Sequence, residues 1–433
     1  MMKVFTLAAV IAFSSFLHAQ SPRQVFVATD IDNFWTAYQK IVSTKDTIKQ
    51  YTYLKELYLD KASPGLTSLM EVRNYRAKDF LDAINQYPEF WSTLKPLTLN
   101  VRKDYPEIEA AFNKLRQLYP ELKPATIYFA IGAFRTNGTI QGDRILIGSE
   151  LALADNSVKI NELPEWRQPF YREYSPRSNL PLLCTHEFIH TQQKDFVDNL
   201  LSTCLYEGIA EFLSCKATGK ESNSPAIAFG KKNLDMVVKK YVEDLYLVTN
   251  NTNWRWGQNN NELKVRDLGY FIGYEIAERF YNSSADKAKA IKLLIELDYT
   301  NESIVEQVVD GSKLFPKPIG QLFAEYEKSR PTASVLSPFV NLSETVKPGL
   351  TRITVAFSEP LNGHSTSIDF GPLGENFFPR ITAERTWSAD ARSWTFEADL
   401  QPNRHYQILI SNNFRTSKGI RLKPYLIDFK TAN

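Results

Sequence analysis

The chain has 433 residues, more than one ordinary domain accommodates, so two or three domains are expected. Hydrophobic residues at 43% and aromatics at 13% can fill sizeable cores and argue against long disorder. The 51 basic and 49 acidic residues leave a net charge of +2 without long single-sign runs, which gives no footing to a nucleic-acid groove or a polybasic membrane patch.

Residues 1–19, "MMKVFTLAAVIAFSSFLHA", set Lys3 before an apolar run and a small-residue ending, the pattern of a secretory signal peptide. The run is too short for a transmembrane helix, and no later stretch reaches the roughly 18 apolar residues one requires. The expectation is an exported chain, periplasmic or extracellular, with no transmembrane segment. Its cysteines, Cys184, Cys204 and Cys215, are odd in number and lack CxxC spacing. Buried thiols are the first reading and one bridge from Cys184 the second.

Residues 29–123 read as helical: "DIDNFWTAYQKI" lines up Ile31, Phe34, Trp35, Tyr38 and Ile41 on one face, and later segments repeat the period. The period then changes. "TIYFAIGAF" (126–134) and "DRILIGSELAL" (143–153) are β-branched and aromatic, and "RTNGTIQG" between them carries an Asn-Gly turn signal. A hairpin or two sheet strands are expected there. "PLLCTHEFIHTQQKDF" is helical with Pro181 in its first turn. "LLSTCLYEGIAEFLSCKA" forms a second helix from near Leu200, and further helices are expected at 226–248, 267–281, 285–297 and 318–328. The polar loop "NNTNWRWGQNNNE" presents Trp254 and Trp256, which either line a cleft or cover a core edge.

After residue 330, "RITVAFSEPL", "SWTFEADL", "HYQILIS" and "LIDFKT" are short alternating strands separated by turn residues, as in a small β-sandwich. The expected fold class is therefore α+β. A mainly helical body with a small sheet spans 20–330 (helical part 29–123, catalytic part 124–330), and a β-sandwich spans 331–433.

The chemistry concentrates at "THEFIHTQQK" (185–194). Residues four apart share a helix face, so His186 and His190 can aim nitrogens at one ion. Glu187 lies beside them, able to act on a water without ligating; this is the HExxH arrangement of zinc peptidases. Zinc then needs a third protein ligand. "YEGIAEF" on the next helix offers Glu207, with Glu211 one turn on to fix an imidazole tautomer; the reverse assignment of the two glutamates stays open. Against this stand a chance motif and a metal site that has lost its catalysis.

These residues resemble the gluzincins, zinc peptidases that join HExxH to a downstream glutamate on a second helix. "YEGIAEF" is similar to the glutamate motif of their aminopeptidase N-like branch, and Tyr270-Phe271-Ile272-Gly273 to its Tyr-x-x-Gly pattern. The resemblance implies one zinc ion and an oxyanion-stabilising role for Tyr270, with Tyr274 as the alternative. The motif that holds a free substrate amine in aminopeptidases is not seen. The nearer resemblance, over roughly 30–330, is to a bacterial family of predicted zinc-dependent proteases that joins a "YFAIGAFRTNGT…ILIGSE" hairpin to HExxH and an EGxAE-type helix. The last hundred residues resemble bacterial Ig-like modules, through which cell-surface or glycan contact is an open role.

The mechanism so implied uses Glu187 as general base toward a zinc-activated water, acting on a peptide or protein substrate. Ile145, Ile147 and Gly148 are candidates for an edge strand that pairs with an extended peptide, or for a purely structural strand. Trp254 and Trp256 are further candidates for substrate contact. Two other readings remain: a non-catalytic secreted peptidase-like protein that binds or adheres, and a peptidase acting on cell-wall or glycoprotein material.

Overall fold

A computed structural model describes residues 25–173, 176–247, 251–255 and 262–433. The expected signal peptide and Trp256 lie outside the described residues. The elements confirm an α+β chain.

Strand β1 (Val25–Val27) leads into six helices: α1 (Thr29–Val42), α2 (Thr47–Leu57), α3 (Pro64–Val72), α4 (Ala77–Gln86), α5 (Pro88–Leu99) and α6 (Tyr105–Leu118). Their local starts are chemical. Asp46 caps α2 by accepting from the Ile48 and Lys49 amides, and Ser63 caps α3, whose first residue is Pro64. The apolar stripe of α1 buries Ile31, Phe34, Trp35 and Ile41, while Tyr38 stays half-buried against that core.

The sheet that follows differs from a plain hairpin. Strands β2 (Thr126–Ala130), β3 (Gly138–Gln141) and β4 (Arg144–Gly148) join β1 in the order β1-β2-β4-β3. β2 runs parallel to β4, and only β3 is antiparallel. The expected Asn-Gly turn is instead the entry to β3. The tight turn falls at Gly142, whose φ of 58° suits glycine. The expected strand 143–153 also stops at Gly148 and continues as a short helix, α7 (Ser149–Ala152).

Helices α8 (Gln168–Glu173), α9 (Leu180–His190), α10 (Leu200–Thr218), α11 (Pro225–Lys232) and α12 (Leu234–Asp244) come next. The single helix expected at 226–248 breaks at Asn233 into the last two. Helices α13 (Asn251–Trp254), α14 (Leu268–Ser283), α15 (Lys287–Ile295), α16 (Glu302–Ser312) and α17 (Ile319–Ser329) complete the series. Among the described residues no helix is long and apolar enough to cross a membrane.

Seven strands end the chain: β5 (Ala333–Ser337), β6 (Gly349–Phe357), β7 (Ile368–Phe370), β8 (Arg380–Trp387), β9 (Ser393–Leu400), β10 (His405–Ile410) and β11 (Tyr425–Lys430). They form sheets ordered β5-β6-β9-β8 and β11-β10-β7, with every pairing antiparallel. In β9 strict alternation buries Trp394, Phe396, Ala398 and Leu400. Two buried hydrophobic clusters result, one from Ala28 to Leu322 and the other from Val346 to Phe429.

Candidate metal centre

Helix α9 is buried on all sides, which places its histidines in the interior rather than on a solvated face. α10 begins with Asn199 accepting from the Ser202 amide and ends at Gly219 with φ 68°. It lies against α9 and, more closely, against α14. That second approach depends on glycine. A Cβ on Gly208 would sit 2.2 Å from the Gly273 carbonyl carbon, and one on Gly273 would sit 1.7 Å from the Cys204 carbonyl oxygen. The Tyr-x-x-Gly glycine is thus the contact that seats α14.

Three side-chain atoms converge where α9 meets α10. His186 Nε2 and His190 Nε2 are 3.0 Å apart, and Glu207 Oε2 lies 3.4 Å from the first and 3.3 Å from the second. Among the described residues this is the group of histidine, cysteine and acidic side chains able to hold a metal ion together. Tetrahedral bonds of about 2.0–2.1 Å imply donor separations of about 3.3–3.4 Å, so the triangle has the right size for such an ion.

The far side of each imidazole is accounted for. His186 Nδ1 is 3.1 Å from Glu211 Oε2, whose other carboxylate oxygen accepts from Ser222. His190 Nδ1 is 2.6 Å from Gln193 Oε1, and Gln193 Nε2 donates to the Tyr206 carbonyl at 3.0 Å. Each Nδ1 therefore donates outward, and both Nε2 lone pairs face Glu207. Two lone pairs and a carboxylate at such separations repel one another unless positive charge lies between them. The electrostatics agree: burial opposes protonation of His186, yet Glu207 and Glu211 push its pKa up to about 10. Burial likewise raises the Glu207 carboxyl, but His190 and His186 hold it far below the usual range. A divalent cation meets the same demand, so the donor set fits a metal.

Glu187 points elsewhere. It is 7% exposed, its carboxylate makes no hydrogen bond among the described residues, and burial raises its pKa against the pull of His190 and His186. It faces β3, where a Cβ on Gly138 would lie 2.6 Å from Glu187 Oε1. Tyr270 on α14 brings its ring to 6.3 Å from that of His186, nearly parallel at 18°. Tyr274 turns away, donating to Glu278 at 3.2 Å and packing on Phe212.

Two expectations about substrate contact need correction. Ile145, Ile147 and Gly148 lie on β4, which is flanked by β2 and β3 and is buried, so its backbone has no free edge for a peptide. Parallel pairing with β2 puts β4 inside the sheet and leaves β3 as the edge nearest Glu187. Trp254 is fully buried: its indole donates to Asp244 at 3.0 Å and its ring meets Tyr241 edge-on. It borders a narrow crevice beside Glu207 and Tyr270, without room for a water molecule. The three cysteines are free and buried.

Sequence reasoning missed Gln193, Tyr206 and Ser222. Gln193 had a local signal, three residues beyond His190 on the same turn. Tyr206 stacks on the His190 ring at 4.3 Å, and Ser222 arrives from beyond the end of α10; neither is signalled by local spacing.

No protein-family model matches the chain, and no curated protein matches it. Among solved structures, the chain is similar to surface layer protein SbsC, domains 1-6, at 11% identity and a TM-score of 0.17. That likeness covers 94% of this chain and 44% of the other, so the chain spans less than half of that protein's length.

Proposed function

We propose that the protein is an exported zinc-dependent peptidase. The observation that carries this reading is the convergence of His186 Nε2, His190 Nε2 and Glu207 Oε2 within 3.4 Å, beside a buried glutamate whose carboxylate makes no hydrogen bond among the described residues. Two imidazoles and one carboxylate are a donor set that suits zinc. When bound there, zinc would polarise a scissile carbonyl and acidify a water.

The chain's own residues supply the rest. Glu211 and Gln193 hold the imidazoles with Nε2 inward. Glu187 takes the proton of the attacking water and passes it to the departing amine, a role suited to a carboxyl that burial keeps basic. Tyr270 donates to the oxyanion, an interaction whose loss typically costs about 2.7–4 kcal/mol of transition-state stabilisation. The extended substrate lies along the free edge of β3, whose backbone pairs only with β4 among the described strands.

In this reading residues 124–330 form a zincin-like catalytic unit, 29–123 its helical forepart, and 331–433 a bacterial Ig-like module that spaces or attaches it. The two separate buried clusters support the boundary near 330, while 29–123 and 124–330 share one of them.

The test is direct. The purified chain is assayed for bound zinc and for hydrolysis of a mixed peptide library, beside Glu187→Gln. The variant is expected to keep its metal and lose turnover. Equal hydrolysis by both proteins removes Glu187 from the chemistry, and stoichiometric zinc without any cleavage favours a secreted binding protein instead.

A further inference from the structure

Two arginines meet at the C-terminal end of α3, the helix that packs on β2, β3 and β4. Arg135 is fully engaged. Its guanidinium donates to the Arg73 carbonyl at 2.8 Å and to the Asn74 carbonyl, and it pairs with Asp79 at 2.9 Å. It thus satisfies carbonyls that the end of α3 leaves open. Arg73 is different. Among the described residues its side chain forms no hydrogen bond and no ion pair, and its Nε is buried without an acceptor. Glu71, two residues earlier, accepts from Gln141 at 3.1 Å through one carboxylate oxygen and forms no ion pair with Arg73.

A guanidinium is always charged, and a buried N–H left without an acceptor carries a desolvation penalty. Nε alone is buried in this way; the terminal nitrogens, equally without a protein acceptor among the described residues, are open to one brought by a ligand. The direction of that ligand follows from the packing. α3 touches β3, and Gly138 of β3 abuts Glu187. Arg135, three residues before Gly138, donates to the Arg73 carbonyl at 2.8 Å, which sets Arg73 beside the entry to β3. A positive charge without a partner among the described residues therefore sits beside the entry to β3, the strand that abuts Glu187 and is proposed to hold the substrate.

We propose that Arg73 is an anion receptor beside β3 and binds a carboxylate of the substrate, supplied by a free peptide C-terminus or by an acidic side chain. Its planar fork matches a carboxylate with two parallel hydrogen bonds, a geometry that a lysine cannot reproduce. The proposal rests on the peptidase reading for the identity of the substrate.

Binding is measured by calorimetry on the zinc-loaded full chain carrying Glu187→Gln. The probes are tetra-alanine with a free C-terminus, its C-terminal amide, and an amide peptide with one glutamate. A charged hydrogen-bonded pair predicts about tenfold tighter binding of one carboxylate-bearing peptide than of the plain amide. Adding Arg73→Met should erase that preference with zinc content and thermal midpoint unchanged, and Arg73→Lys should restore it only in part. Whichever of the two acidic probes binds tighter identifies the carboxylate. Equal affinity for all three peptides, or a preference that survives Arg73→Met, overturns the proposal.

A second readout needs no peptide recognition. Phenylglyoxal labelling of Arg73, followed by mass spectrometry, should slow in succinate and not in succinamide; equal labelling in both again overturns it. Protection of Arg73 in a protein that cleaves no peptide would leave the anion site standing and remove the peptidase reading. Cleavage of acids and amides with the same KM, unchanged by Arg73→Met, would do the reverse.

Discussion

Replacing Gly208 by alanine puts one methyl group between α10 and α14. The new Cβ would lie 2.2 Å from both the Gly273 carbonyl carbon and the Tyr274 nitrogen. Ordinary carbon contact begins near 3.5 Å, so the two helices must part by about 1.3 Å. Both colliding atoms are backbone, and no rotamer change relieves them. Alanine recovers about 1 kcal/mol of helix propensity, whereas overpacking of this severity costs about 3 kcal/mol. The expected net loss is about 2 kcal/mol, read from urea unfolding. Glu207 is the preceding residue, so its carboxylate moves with the α10 backbone. Metal bonds tolerate displacements of only about 0.2 Å. Zinc affinity in a chelator competition should therefore fall about 10–100-fold, as for loss of a supporting group. Gly320→Ala is the control, because its Cβ would meet only the flexible end of Glu306 at 3.3 Å; it should be neutral or mildly stabilising. A Gly208→Ala protein with parental stability and parental zinc affinity would refute the argument that glycine contact seats the site.

Further outcomes follow from the same geometry. Glu211→Ala removes the acceptor for His186 Nδ1 and should weaken zinc binding about 10–100-fold, measured by the same competition, while leaving metal stoichiometry at saturation unchanged. Gln193→Leu should lower affinity about tenfold through His190, and Gln193→Glu should restore most of it because a carboxylate still accepts from Nδ1–H; two equally impaired variants would argue against tautomer control. The buried Glu150 gives a pH test away from the metal. It accepts from the Gly132 and Phe134 amides at 2.8 and 2.9 Å, but burial outweighs these donors and raises its pKa above 4.5. The folded state then keeps a proton that the unfolded chain has lost, so this group's contribution to stability declines as pH rises from about 4.5 through the folded pKa. Urea unfolding of the parent minus that of Glu150→Gln, followed from about pH 4 to about pH 7, should show that downward slope; a flat or rising difference refutes it.

Some of this protein is written locally in its residues. Helix periodicity alone puts His186 and His190 on one face, and Glu207 and Glu211 on another, because i,i+4 neighbours coincide whatever the surroundings. The α+β class and the change from helices to alternating strands after residue 330 are equally local, since strand alternation and helix stripes have different periods. Tertiary packing decided the rest. Which glutamate meets the two Nε2 atoms depends on the axial position of α10 along α9, held by the glycine contact with α14. Whether β4 is an edge strand depends on β2 joining it in parallel on the side opposite β3, a pairing that its own apolar pattern does not encode. The burial of Trp254 beneath Tyr241 and Asp244, and the lack of a partner for the Arg73 side chain among the described residues, are likewise properties of how distant segments meet. Spacing along a chain determines which side chains share a face; only the assembled fold determines what that face meets.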